Sequence, residues 1–342
     1  VSALARLGRT LLEVAVRWVY RPGPPADPDP ARIHKVLVVR PDPRVGNVLL
    51  TTPLLRALKA GLPGARVEML VARGKEPLVQ GLPFIDGLVS FDKQSFFRSP
   101  LRFWRFVRGL RAAGYDLAIE AGHFHAFSFT AAWLTRATGA RIRIGHDRGL
   151  AARFLTDAVA HDPAQVNDVR AKLELLLPLH LLPAGTELQT PLGGALPAGI
   201  PTAPFVALNL GARKADHRWP PEAFGALARR LQARGLVPLL LWGPGEEALC
   251  EAALAASGGL AVRGPPTNLE ELAATFRACA VAVTNDTGPM HLACAVGAKV
   301  VAVFLADDAE RWAHPGPRFA GVRVRDEADA VEAVERAVLQ LL

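Results

Sequence analysis

Lys35-Val36-Leu37-Val38-Val39-Arg40 is an unbroken aliphatic run closed by a charge at each end. It lacks the apolar–polar alternation of a half-exposed strand, so the strand it predicts is buried on both faces, as in a parallel sheet covered by helices. The signal recurs in a fixed order. A turn-rich loop over Pro41 to Asn47 leads to a helix from about Val48 to Ala60, and Arg66 to Ala72 forms the next strand. Gly87 to Phe91, a helix around Arg102 to Ala113, Asp116 to Glu120, a helix from Phe127 to Thr138 and Arg141 to Gly145 continue it, and a helix around Gln165 to Pro178 completes it. Residues 183–204 are rich in Pro, Gly and Ala and have no period. Beyond them strands over Phe205 to Leu210, Val237 to Trp242, Val281 to Thr284 and Val300 to Leu305 alternate with helices starting at Pro221, Glu246, Leu269 and Pro289. Such alternation predicts two doubly wound, Rossmann-like α/β domains. Residues 31–182 form the first, 183–204 the linker, 205–326 the second, and 327–342 a final helix. Two such domains imply a ligand in a cleft between them, near the carboxyl ends of the strands.

With 342 residues, half of them hydrophobic, each domain can bury its own core. The 40 Lys and Arg against 32 Asp and Glu give a formal charge of +8, which favours anionic partners. The arginines are spread along the chain without a basic block, so nucleic acid is not the expected partner. Cys250, Cys279 and Cys294 have neither metal-ligand nor disulfide spacing and read as buried thiols of a reducing cytosol. No run is long enough to span a bilayer, and the N-terminal apolar residues are interrupted by charge, unlike a secretory signal. Those residues, 1–20, read instead as an amphipathic helix. Leu4, Leu7, Leu11, Ala15 and Trp18 lie opposite Arg6, Arg9, Glu13 and Arg17. Such a helix can rest on an anionic membrane surface or dock on its own first domain. Five prolines between Arg21 and Pro30 then make a linker.

Four loops at strand ends can carry chemistry. The first, Arg40 to Asn47, delivers helix N-terminal N–H groups beside Arg44, and Gly46 permits close approach of a ligand. It has neither the spaced glycines of a dinucleotide fingerprint nor a P-loop lysine. The second is Thr284-Asn285-Asp286-Thr287-Gly288-Pro289-Met290-His291, where Asp286 or Thr287 can cap a helix that Pro289 opens. Gly288 and the free N–H groups can receive a phosphate, with His291 on the first turn. The third, Leu210 to Pro220, gathers Arg213, Lys214, His217 and Arg218, which suit a diphosphate. The fourth, Trp242-Gly243-Pro244-Gly245-Glu246-Glu247, offers a carboxylate to ribose hydroxyls, or merely caps a helix. No metal-binding cluster is visible, and no cofactor is expected.

Together these segments resemble the lipopolysaccharide heptosyltransferase family, inverting glycosyltransferases of GT-B fold. The resemblance runs from about Val36 to Pro317. Its anchors are the stretch Gly46 to Leu58, Arg143-Ile144-Gly145, Arg218-Trp219-Pro220, and Asp286-Thr287-Gly288-Pro289-Met290-His291 with Leu292-Ala293. It implies a nucleotide-sugar donor, typically ADP-heptose, held mainly by the second domain. The implied acceptor is an anionic lipid-linked saccharide, lipid A with inner-core sugars, held by the first. Asp286, Thr287, Gly288 and His291 would surround the sugar and diphosphate, Arg218 or Lys214 beside His217 would contact phosphate, and Glu246 or Glu247 would face the ribose. A cytoplasmic enzyme at the inner face of the membrane fits this resemblance.

One departure concerns catalysis. The family's first loop ends in Gly-Asp, whose aspartate is the expected general base, whereas this chain has Gly46-Asn47 in a loop one residue longer. An amide cannot accept the acceptor's proton. Asp42 is the favoured replacement, with His123 and His125 the next candidates because neutral imidazole is a competent base. The implied reaction is a single displacement at the anomeric carbon, with Arg218, Lys214 and the helix after Gly288 stabilising the departing phosphate. Two alternatives remain at this point. One is a related transferase using another nucleotide sugar for surface polysaccharide; the other is a binding protein that kept the fold and lost its base.

Overall fold

A computed structural model describes residues 20, 24, 26, 28–305, 309–324 and 327–342. The expected amphipathic helix over residues 1–20 lies outside the described residues, apart from Tyr20. The chain divides into two compact units. One holds the described residues up to Pro43 together with Thr51–Gly185, and the other holds Arg44–Leu50 with Thr186–Leu342.

The first unit contains β1 (Lys35–Arg40), β2 (Arg66–Ala72), β3 (Gly87–Phe91), β4 (Leu117–Glu120), β5 (Ile142–His146) and β6 (Asp157–Val159). The helix α1 (Val45–Leu49) follows β1 in the chain but belongs to the second unit. The helices of the first unit are α2 (Thr52–Gly61), α3 (Lys93–Arg98), α4 (Pro100–Ala112), α5 (Phe129–Ala137) and α6 (Asp168–Glu174). Its strands form one parallel sheet in the order β3-β2-β1-β4-β5-β6. Val36 to Val39 of β1 are wholly buried, as the unbroken run requires, and pair with β2 on one side and β4 on the other. Ser99 caps α4 through Arg102 N–H, with Pro100 in the first turn, which is the chemistry of a helix start. The single helix expected over 48–60 is instead two: α1 ends at Leu49, and Pro53 opens α2.

The second unit contains β7 (Phe205–Asn209), α7 (Pro221–Gln232), β8 (Val237–Leu241), α8 (Glu247–Ala256), β9 (Val262–Arg263), α9 (Leu269–Ala278) and β10 (Val281–Asn285). After these come α10 (Gly288–Ala295), β11 (Val300–Phe304), α11 (Ala309–Trp312), β12 (Phe319–Arg323) and α12 (Glu327–Leu341). The parallel order is β12-β11-β10-β7-β8-β9, the same winding as the first sheet, element for element. Asn268 and Glu271 close a reciprocal capping box at the start of α9. The final helix is part of this unit's core. Val334 and Val338 of α12 are fully buried among residues of α7 and the sheet, and Glu335 takes hydrogen bonds from Arg230 (2.5 Å) and Arg234 (2.7 Å). Residues expected as linker also pack here: Leu188 and Leu192 are buried, and Arg277 donates to the Leu192 carbonyl at 2.6 Å.

Each sheet therefore has a switch point where neighbouring strands depart in opposite directions: between β1 and β4, and between β7 and β10. Ligands of doubly wound sheets bind outside the carboxyl ends of the strands at such points. Both are lined by buried polar residues, Arg40 and Glu120 closing β1 and β4, Asn209 and Asn285 closing β7 and β10.

Candidate functional site

At the switch point of the second unit lies a cavity of about 640 Å³. Its wall comes from the ends of β7, β8 and β10, the loops that follow them, the first turn of α10, α1 and Trp312. Asn285 organises this region. Its amide nitrogen donates to the carbonyls of Leu210 (2.9 Å) and Gly211 (3.3 Å), and its oxygen accepts from Trp219 N–H at 2.9 Å. One buried side chain thus fixes the cationic loop at both ends. Asn209, in the cavity wall, keeps a buried amide nitrogen with no partner among the described residues, a donor suited to a ligand oxygen.

Most residues anticipated for the donor meet here. Lys214, His217, Glu246, Asp286, Thr287, Gly288 and His291 line the cavity, with Arg44, Gly46 and Asn47 from α1. His217 Nδ1 lies 3.6 Å from the Asp286 carboxylate. Thr287 precedes α10 in extended conformation without a side-chain cap, so the positive end of that helix carries no capping oxygen of its own. His291 shares a 2.8 Å hydrogen bond with His314, and its ring rests on Gly46, where a Cβ would come within 2.3 Å of Cδ2. Only glycine lets α1 pack this closely on α10.

Two anticipated residues do not line the cavity. Arg218 turns back into its own loop, where Nη2 donates to the Ala212 carbonyl at 2.5 Å. That bond braces the loop that presents Arg213 and Lys214. Glu247 is exposed on the first turn of α8, whereas Glu246 accepts from Gly243 N–H at 2.8 Å and lies in the wall. Arg213, named above only as part of the cationic loop, also lines the cavity.

The switch point of the first unit holds a buried ionic network that no sequence motif signals. Arg148 pairs with Glu120 and Lys172 with Asp168, while Arg40 donates to the Ala121 carbonyl at 3.0 Å. His123 is held at both ring nitrogens: Nδ1 at 2.8 Å from Asp168 Oδ1 and Nε2 at 2.9 Å from Arg40 Nη2. A carboxylate only accepts and a guanidinium only donates, so the proton sits on Nδ1 and the Nε2 lone pair is occupied. Burial, with Lys172 and Arg40, pushes the imidazole down to about 4. His123, the next base candidate after Asp42, thus has both ring nitrogens engaged in this network. His125 is exposed and stacks on the His123 ring at 5.2 Å. Burial alone would raise the Asp168 carboxyl, but Lys172 and His123 overcome it and hold the group far below the usual carboxylate range. Asp42 belongs to this unit, with its carboxylate 3.8 Å from the Arg40 guanidinium.

Two six-stranded parallel sheets of identical winding, each with polar residues at its switch point, place the chain in the GT-B class of two Rossmann-like units. Solved structures share this fold. The glycosyl transferase family 9 protein of Veillonella parvula matches with a TM-score of 0.75 and 19% identity over 90% of this chain and 98% of that one. The E. coli heptosyltransferase WaaC with ADP matches with a TM-score of 0.73 and 21% identity over 90% and 100%. Curated relatives include lipopolysaccharide heptosyltransferase 3 of Escherichia coli, 27% identical over 287 residues, 78% of this chain and 82% of that protein. Lipopolysaccharide heptosyltransferase 1 of Pseudomonas aeruginosa is 27% identical over 79% of this chain and 78% of its own length. The family model described as glycosyltransferase family 9 (heptosyltransferase) matches residues 103–340. The chain belongs to that family and is a glycosyltransferase.

Proposed function

We propose that the enzyme transfers a heptose from ADP-heptose to a lipopolysaccharide-core or lipid A acceptor, with inversion at the anomeric carbon. The observation that carries this reading is the cavity of the second unit. A carboxylate (Glu246), cationic side chains (Arg213, Lys214) and the N-terminus of α10 there surround a volume suited to a nucleotide sugar. Solved family structures contain ADP and ADP-2-deoxy-2-fluoro heptose, which supports the choice of donor.

In this mechanism Glu246 accepts hydrogen bonds from the ribose hydroxyls. Lys214, Arg213 and His217 meet the diphosphate together with the first turn of α10. Their fixed positive charge stabilises the developing negative charge on the leaving group, where preorganised donors contribute most. Asn47 orients substrate as a neutral amide. Asp42, five residues earlier in the chain, accepts the proton of the acceptor hydroxyl as it attacks.

The acceptor side is the first unit. Helix α4 exposes Trp104 and Leu101 beside Arg102, Arg105, Arg108 and Arg111, with no acidic residue from Lys93 to Gly114. Beside it an aromatic pocket of about 420 Å³ is lined by Phe91, Phe96, Phe103, Phe129 and Trp133. A basic face with an exposed indole suits the anionic surface where a lipid-linked acceptor resides. No helix among the described residues is long and apolar enough to cross a membrane. A peripheral position at the cytoplasmic face of the inner membrane is part of this proposal, and the basic face of α4 is what supports it.

Calorimetric titration with ADP, UDP and GDP tests the donor reading. ADP should bind at least about tenfold tighter than the others, a difference of about 1.4 kcal/mol. Equal affinities, or a preference for UDP, would favour a transferase using another nucleotide sugar.

A further inference from the structure

Six of the nine histidines lie in the first unit, and four of them, His123, His125, His146 and His161, are linked by ring contacts, directly or through Phe124. The ionic network accounts for His123 but not for the pair farther along the sheet. His146 closes β5, His161 follows β6, and Glu174 closes α6. One ligand atom from each lies within 4.8 Å of the others. His161 Nδ1 is 2.8 Å from Glu174 Oε2, and Phe124 stacks on the His161 ring at 4.0 Å. The rings of His146 and His161 are nearly parallel, 18° apart at 5.7 Å.

His146 is the informative residue. It is 1% exposed, and neither ring nitrogen has a hydrogen-bond partner among the described residues. Buried imidazoles ordinarily satisfy both nitrogens, so a bare one beside two further donors calls for a ligand. The nearby cations do not oppose a metal ion, because Arg148 is paired with Glu120 and Lys172 with Asp168.

We propose that His146, His161 and Glu174 bind one divalent transition-metal ion of the zinc type. Two imidazole nitrogens and a carboxylate oxygen suit Zn²⁺, Co²⁺ or Ni²⁺, whereas Mg²⁺ and Ca²⁺ require oxygen ligands. Bonds of about 2.0–2.2 Å place tetrahedral ligand atoms about 3.4 Å apart. The present separations reach that value by opening the His161–Glu174 contact and drawing His146 inward. A water or substrate oxygen completes the shell. The ion ties the three-residue edge strand β6 to β5 and α6, the helix whose Asp168 holds His123 and Lys172. This site belongs to the first unit, shares no residue with the lining of the donor cavity and does not rest on the choice of donor.

The test uses the tag-free full chain, stripped with chelator and titrated with Co²⁺ and Zn²⁺ while metal content is measured. The wild type should take up one equivalent and give the visible Co²⁺ bands of a low-coordinate site, with no saturation by Mg²⁺. His146→Ala and Glu174→Gln should each lose more affinity than the about 10- to 100-fold typical of removing a partner behind a ligand. Circular dichroism identifies any variant that fails to fold, and Glu174→Gln, at a helix end, is the milder change. Absence of Co²⁺ and Zn²⁺ binding by the wild type overturns the proposal. Unchanged affinity in both folded variants does so too, since the ion then sits elsewhere.

Discussion

The Glu246 carboxylate lies directly over Gly211, where an added Cβ would come within 2.0 Å of Oε2. The glycine that follows β7 thus makes room for the side chain that presents an acid to the cavity. Gly211→Ala forces the carboxylate away from Gly243 N–H while sparing the core, because the clashing atom is the end of a flexible side chain. ADP affinity should fall about tenfold, or about 1.4 kcal/mol, with little change in melting temperature. Glu246→Gln should weaken ADP similarly. Unchanged ADP affinity in both variants would remove Glu246 from the ribose contact.

The basic face of α4 should hold the enzyme on anionic membranes. With vesicles containing phosphatidylglycerol, the wild type should sediment in low salt and be released as salt rises through physiological strength. Reversing two charges, Arg105→Glu with Arg108→Glu, should leave most protein in the supernatant, since each basic residue contributes about 1 kcal/mol near such a surface. Equal sedimentation of the variant would assign membrane contact to another element.

Acid should destabilise the first unit through its buried imidazoles. Burial, aided by neighbouring cations, depresses His123 to about 4 and His146 to about 3. Unfolded, both return to about 6.5. Below that pH the unfolded chain takes up protons that the folded chain refuses, so stability falls as pH falls. Between pH 7.5 and 5 in chelating buffer the loss should be about 2–4 kcal/mol, read as a drop in denaturant midpoint. Asp168 adds its own loss only at lower pH, because its folded pKa lies below its unfolded one. His123→Gln should flatten the slope by about half; a flat wild-type profile would contradict the buried neutral imidazoles.

The proton acceptor can be located by exchange of charge between Asp42 and Asn47. Asp42→Asn should lower kcat by about 10²–10⁴-fold while leaving ADP affinity unchanged. Asn47→Asp should rescue part of that loss in the double variant, because it restores the carboxylate found elsewhere in the family. Full activity of Asp42→Asn would exclude Asp42 as the base.

Much of the fold was legible because the central strands are continuous aliphatic runs, such as Val36 to Val39, that admit no other placement. Short edge strands carried too little pattern: β6 and β9 have three and two residues, and both were missed, as was β12. The motif from Asp286 to His291 was legible since its Gly-Pro opens a helix at a strand end. The bracing of the cationic loop by Arg218 was not legible, because only the folded chain brings its guanidinium to the Ala212 carbonyl. The ionic network of the first unit was illegible for a different reason. Asp168 lies 45 residues from His123, and with Lys172 at i+4 it reads as an ordinary exposed helix pair. Residues 44–50 were assigned to the first unit by chain order, whereas the fit of Gly46 against His291 sets them with the second.

The most direct test of the account follows ADP release and acceptor mass together, with purified enzyme, ADP-heptose and a heptose-deficient lipopolysaccharide acceptor. The account predicts ADP release that depends on acceptor, matched by a mass gain of one heptose per ADP. ADP-heptose binding with no mass gain on inner-core acceptors, or transfer from a UDP-sugar in its place, would contradict it.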